Sequence, residues 1–180
     1  MKSIRQLGWD FAHNHRAFAA DVLGPLGILP LKWSEWYQDC LDIYWRLDVR
    51  DKVVLDIGSD FGTTPMFFLT QMGAKKVVGV SLESQYFSHM NYHHYKMPVG
   101  GFDSLPGSLT EMAFDILKVD AEGLEWDMEI EFIEPFHDWI IALHRPILNP
   151  ELFEWIKAYG KLIATKTTEE FAVYQKREGT

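Results

Sequence analysis

Val53-Val54-Leu55-Asp56-Ile57-Gly58-Ser59-Asp60-Phe61-Gly62 is the stretch whose reading decides the fold. Val, Leu and Ile around a single carboxylate read as a strand buried on both faces, and Gly58 and Gly62 then break it into a turn before the next apolar run. Glycine lets the backbone approach a small molecule closely, so a strand that ends this way is a cofactor-loop candidate. The spacing is Asp56-x-Gly58-x-x-x-Gly62, whereas a dinucleotide fingerprint reads Gly-x-Gly-x-x-Gly. Asp56 would also be a poor neighbour for a pyrophosphate and suits a cationic cofactor without phosphate.

Working outward, the chain has 180 residues, 47% of them hydrophobic and 14% aromatic, which fits one domain with a sizeable core. The expected organisation is a single domain over 1–180, with a helical N-terminal extension at 1–50 and an α/β core at 51–177. Lys and Arg total 17 against 26 Asp and Glu, a net charge of −9, and basic residues gather only in short pairs such as Lys75-Lys76. A phosphate-neutralising face is therefore missing, which argues against nucleic acid and for a small-molecule substrate. Cys40 is the sole cysteine, so neither an intramolecular disulfide nor a cysteine metal framework can form. The first residues lack the apolar run of a signal peptide, and no stretch approaches a membrane span, so a cytoplasmic protein away from membranes is expected. Nothing in the sequence specifies an oligomeric state.

Before the glycine loop, two helices are expected. Trp33, Trp36, Tyr37, Cys40, Leu41, Tyr44 and Leu47 follow the i, i+3, i+4, i+7 series of one buried face, and a Gly- and Pro-rich segment at 24–30 separates them from an earlier helix. Trp33, Trp36, Tyr37 and Trp45 read as core packing or as a lid across the sheet. After the loop, a short helix over Thr64–Met72 stops at Gly73, and Lys76–Ser81 is a second strand. Ser84–Tyr95 reads as helix, and Val99–Asp103 as loop or a remnant strand. Asp115–Asp120 is a further strand, followed by an acidic helix over Leu124–Ile133 and a strand at Trp139–Leu143. A helix near Glu151–Tyr159 precedes Lys161–Lys166 and Phe171–Gln175, which lie too close for a crossover and should pair antiparallel. Alternating strands and helices predict a mostly parallel α/β sheet closed by a C-terminal antiparallel hairpin.

Asp-x-Gly-x-x-x-Gly after a strand resembles the first motif of class I S-adenosylmethionine-dependent methyltransferases. Phe114–Trp126 resembles the FkbM-type signature, whose Lys-Ile-Asp-x-Glu-Gly-x-Glu core stands here as Lys118-Val119-Asp120-Ala121-Glu122-Gly123-Leu124-Glu125. The resemblance covers roughly residues 53–176. It implies a Rossmann-like, seven-strand-type methyltransferase sheet, S-adenosylmethionine as cofactor, and methylation of oxygen on a small-molecule or carbohydrate-like acceptor. Cofactor contacts then fall to Asp56, Gly58, Ser59, Asp60 and Gly62. The second strand of such folds usually ends in an acid for the ribose hydroxyls; here Ser81 stands at the end and Glu83, two places on, is the candidate replacement.

Ligands in open α/β sheets gather outside the carboxyl ends of the strands, where both motifs lie. Carboxylates crowded there raise at least one proton affinity, which makes Asp120 the first candidate for general base and Glu122 the second. Glu125 and Asp127 have an ordinary explanation as acids at the positive end of a helix. The resemblance leads one to expect an acid in the strand at 140–144, but Ala142 stands there and His144 keeps the polar end, placed to orient a substrate or share proton transfer. His13 with His15 and His93 with His94 lack the i, i+4 spacing of a zinc pair. No resident metal is expected; magnesium, if used, would sit at Asp120 and Glu122. The alternative reading is a non-catalytic domain that keeps the fold and acts through partners, favoured by Ser81 and by the short span between Glu83 and Phe114. An oxidoreductase is opposed by the missing third glycine and the closing hairpin.

Overall fold

Seven strands form one sheet in the order β3-β2-β1-β4-β5-β7-β6. They are β1 (Val53–Ile57), β2 (Lys76–Ser81), β3 (Tyr92–Lys96), β4 (Ile116–Val119), β5 (Asp138–Leu143), β6 (Gly160–Lys166) and β7 (Phe171–Lys176). The computed structural model describes residues 39–40, 42–59, 62–82, 89–96, 107–110, 112–166 and 171–179. Strands β1 to β5 pair in parallel, and β7 runs antiparallel to both β5 and β6, as the hairpin reading required. Strand order reverses between β1 and β4, and this switch point opens a crevice beyond their carboxyl ends.

The central strands form because they can be buried on both faces. Every residue of β4 is buried, as are all but the first of β1, β2 and β5. One core layer gathers Ile43, Tyr44, Leu47, Met66, Phe67 and Phe68; the other gathers Trp126, Met128, Trp139, Leu152 and Ile156. Each fully buried side chain of this kind contributes about 1.5–3 kcal/mol relative to exposure. Helix α1 (Thr63–Phe67) widens into a π-turn over Phe68–Met72 and ends at Gly73, whose φ of 76° is readily adopted by glycine. Short helices α2 (Gly107–Thr110) and α3 (Ile130–Ile133) follow. Helix α4 (Pro150–Tyr159) starts on Asn149, whose Oδ1 accepts the Leu152 N–H at 3.0 Å, with proline at the first turn.

Three expectations fail. Over Ser84–Tyr95 a helix was expected, but Tyr92–Lys96 is an edge strand paired with β2; its aromatic and histidine side chains fit a half-buried pleated surface, and pairing outweighs local helix preference. The acidic helix over Leu124–Ile133 is broken: a 3-10 turn at Leu124–Asp127 gives way to extended backbone at Met128 and Glu129 before α3. Trp126 and Met128, two residues apart, are both buried in the same layer, which a continuous helix cannot arrange. Trp45 leaves the core, 39% exposed, with the Arg46 guanidinium 5.3 Å from its ring. The first N-terminal helix and the start of the second, with Trp33, Trp36 and Tyr37, and the segment Val99–Asp103 lie outside the described residues; the end of the second is described, closing in a 3-10 turn at Tyr44–Arg46 with Cys40, Tyr44 and Leu47 buried. No helix among the described residues is long and apolar enough to cross a membrane.

Candidate active site at the ends of β1, β4 and β5

The glycine loop is tied to β4 by a dry ion pair. Asp56 is fully buried, and its Oδ1 lies 2.9 Å from Nζ of Lys118, its register partner on β4. The same ammonium donates to the Gly58 carbonyl at 2.8 Å. Burial pushes the Asp56 carboxyl up, and the Lys118 charge works against that rise. Asp56 Oδ2 has no hydrogen-bond partner among the described residues. The Gly58 N–H donates to the Val80 carbonyl at 2.8 Å, and its φ of 78° lies in the left-handed region. A Cβ at Gly58 would stand 1.6 Å from the Asp120 carbonyl oxygen, so only glycine lets the loop seat against the end of β4.

Ser59 is buried beside the Tyr92 hydroxyl, both packed over Gly79, where a Cβ would meet them at 2.7 and 2.5 Å. Asp56 and Ser59 therefore underlie the loop and hold its shape. Gly62, with φ of 98°, leads into α1. At the end of β2, Ser81 Oγ lies 3.1 Å from His94 Nε2 on β3. The expected cofactor contacts Asp60 and Glu83 lie outside the described residues.

Beyond β4 and β5, the three expected catalytic residues converge. His144 Nε2 lies 3.5 Å from Asp120 Oδ1 and 3.7 Å from Glu122 Oε2. Glu122 is 86% exposed at its side chain. Its φ of 52°, next to Gly123 at 103°, makes the tight turn that brings it to the rim.

Two residues that the sequence left without a role in the site hold this group. Fully buried Glu125 accepts the His144 backbone N–H at 2.6 Å and lies 2.9 Å from its ring Nδ1, while its other oxygen accepts the Gly123 N–H at 2.8 Å. Burial pushes the Glu125 carboxyl up, but the hydrogen bonds from the His144 ring and backbone outweigh it and leave it lowered. Burial likewise depresses His144, yet the Glu125 bond and the charges of Glu125, Asp120 and Glu122 leave the imidazole raised. Tyr44 donates to Asp120 Oδ2 at 2.5 Å, and its ring lies 5.2 Å from Lys118 Nζ. Burial, then the Asp120 charge, raises the phenol well above its ordinary range, so it stays a donor. Lys118 and Glu125 were visible within the quoted signature; Tyr44 was visible only as one apolar-face position among several.

The geometry joins the two sequence motifs at one crevice, and comparison with known proteins agrees with that fold. The sequence is 31% identical over 135 residues to uncharacterized protein 158B of Sulfolobus islandicus rod-shaped virus 1, covering 70% of this chain and 81% of the viral protein. The chain belongs to the family of that viral protein. No family profile matches the sequence. Among solved structures, the C-terminal domain of precorrin-6Y C5,15-methyltransferase from Rhodobacter capsulatus is similar at a TM-score of 0.52 and 8% identity, over 77% of this chain and 87% of that one. A Plasmodium falciparum protein assigned as a ribosomal RNA methyltransferase is similar at 0.51 and 16% identity, over 80% and 96%. These likenesses establish a Rossmann-like methyltransferase fold.

Proposed function

We propose that this protein is an S-adenosylmethionine-dependent methyltransferase that methylates oxygen on a small-molecule or carbohydrate-like acceptor. The observation that carries the reading is the contact of Gly58 with the Asp120 carbonyl, which brings the glycine loop and the Lys118–Glu125 segment to one crevice. The FkbM resemblance of that segment supports oxygen as the target and the acceptor class. The net charge of −9 and the carboxylates at the rim favour a small acceptor over a polyanion such as RNA.

The residues present fit the cofactor. Gly58, which has no side chain to keep the loop off the Asp120 carbonyl, and Gly62, at a φ of 98°, let the backbone turn tightly at the end of β1, and Asp56 Oδ2 is a buried acceptor without a partner among the described residues. The loop from Gly58 to Gly62 and the end of β2 would hold it, and it would supply a methyl group already activated by positive sulfur. What remains for the protein is alignment and one proton. Asp120 is placed to take the acceptor's hydroxyl proton, Tyr44 fixes its second oxygen, and Glu125 sets the orientation of the His144 ring beside it.

A second reading, a domain that keeps the fold and acts through partners, is favoured by one observation: β2 ends in Ser81 bonded to His94 where a carboxylate is usual. Calorimetric titration of the full chain with S-adenosylmethionine, S-adenosylhomocysteine and NAD separates the readings. Micromolar binding of the first two without NAD is expected. Binding of NAD, or of none by folded protein, would overturn the proposal.

A further inference from the structure

We propose that Asp120, Glu122 and His144 bind one divalent first-row transition-metal ion. One ligand atom from each residue lies within 4.8 Å of the others. The distances from His144 Nε2 to the two carboxylate oxygens, 3.5 and 3.7 Å, are too long for direct hydrogen bonds. They match a shared ion instead: two atoms each about 2.1 Å from one metal and about 110–120° apart stand roughly 3.4–3.6 Å from each other.

A second observation is independent of those three residues. Metal-binding imidazoles characteristically give their other nitrogen to a carboxylate, which fixes ring and tautomer. Glu125, buried without exposure and outside the triad, does this at His144 Nδ1 and leaves Nε2 facing the two carboxylates. Tyr44 performs the same service for Asp120, holding Oδ2 so that Oδ1 faces the ring. Charge points the same way. Asp120, Glu122 and Glu125 surround a single imidazole, and among the described residues no other cationic side chain lies within ion-pair distance of Asp120 or Glu122. The buried ammonium of Lys118 is held by Asp56 and the Gly58 carbonyl.

The sequence reading expected no metal and saw only a carboxylate pair suited to magnesium. His144 changes the donor set to one nitrogen and two oxygens, which shifts preference toward ions that accept imidazole. The exposed Glu122 leaves the site open to solvent, with coordination positions for water and acceptor oxygen. This use of the site rests on the methyltransferase reading. With the metal bound, Asp120 would be a ligand in place of the base role it has in the metal-free reading, and a hydroxyl held at the metal would release its proton to water.

The test is Mn2+ titration of the full chain, followed by loss of the free-ion electron paramagnetic resonance signal, with Glu122→Gln and Asp120→Asn in parallel. Circular dichroism checks that each variant is folded; the exposure of Glu122 makes Glu122→Gln the secure one. One Mn2+ per chain is expected, weakened at least about tenfold in both variants. No binding at millimolar Mn2+, or equal binding in wild type and Glu122→Gln (an adventitious ion only), would overturn the site. S-adenosylmethionine binding is measured separately on the same samples. Cofactor binding without Mn2+ binding would remove the metal and leave the methyltransferase reading, and the reverse result would do the opposite.

Discussion

Lys118 and Asp120 stand two residues apart at the end of β4, yet their surroundings are opposite. Lys118 is enclosed: its ammonium meets the Asp56 carboxylate, the Gly58 carbonyl and the face of Tyr44, all away from water. Asp120 is about a quarter exposed at its side chain and looks toward His144 and the solvated Glu122. Tyr44 touches both, its ring over one and its hydroxyl on the other. The same strand end thus carries a charge that fixes the loop and a charge free to meet a ligand. A buried pair is costly to desolvate and damaging to split, whereas a rim carboxylate can change with little structural consequence.

Splitting the enclosed pair should have the largest effect. Lys118→Met leaves Asp56 buried without its cation and is expected to lose about 3–5 kcal/mol in urea unfolding; a loss below about 1 kcal/mol would mean that the pair does not hold the loop. Gly58→Ala comes next. Its Cβ would collide with the Asp120 carbonyl and its φ is left-handed, so about 2–4 kcal/mol should be lost together with cofactor affinity. Unchanged affinity would separate the loop from the cofactor. Tyr44→Phe keeps the ring over Lys118 and removes only the hydroxyl, for an expected loss of about 1–2 kcal/mol. The smallest stability change belongs to Glu122→Gln, within about 0.5 kcal/mol by thermal unfolding, with metal binding and turnover nonetheless reduced. A large stability loss there would break the contrast between the two ends.

Much of this was legible because burial on both faces writes long apolar runs. Strands β1, β2, β4 and β5 could be read from Val, Leu and Ile alone, and the glycine spacing located the loop between β1 and α1. Strand β3 could not, since Tyr92-His93-His94-Tyr95 is an edge segment whose pairing with β2 is a tertiary event. His144 was read at a strand end, where it is found. Its partner Glu125 was taken for a helix-start acid, because the break at Met128 depends on what Trp126 and Met128 bury against. The Asp56–Lys118 pair was hidden for a different reason. Both residues were quoted, but only the adjacency of β1 and β4 puts them in register.

The most direct test of the central claim is two-dimensional 15N NMR of the full chain with S-adenosylhomocysteine added stepwise. Shifts concentrated at the amides of Gly58, Ser59, Gly62, Ser81 and Ala121 are the predicted result. Shifts confined to the β6–β7 edge or to α4, or none at millimolar ligand, would contradict it.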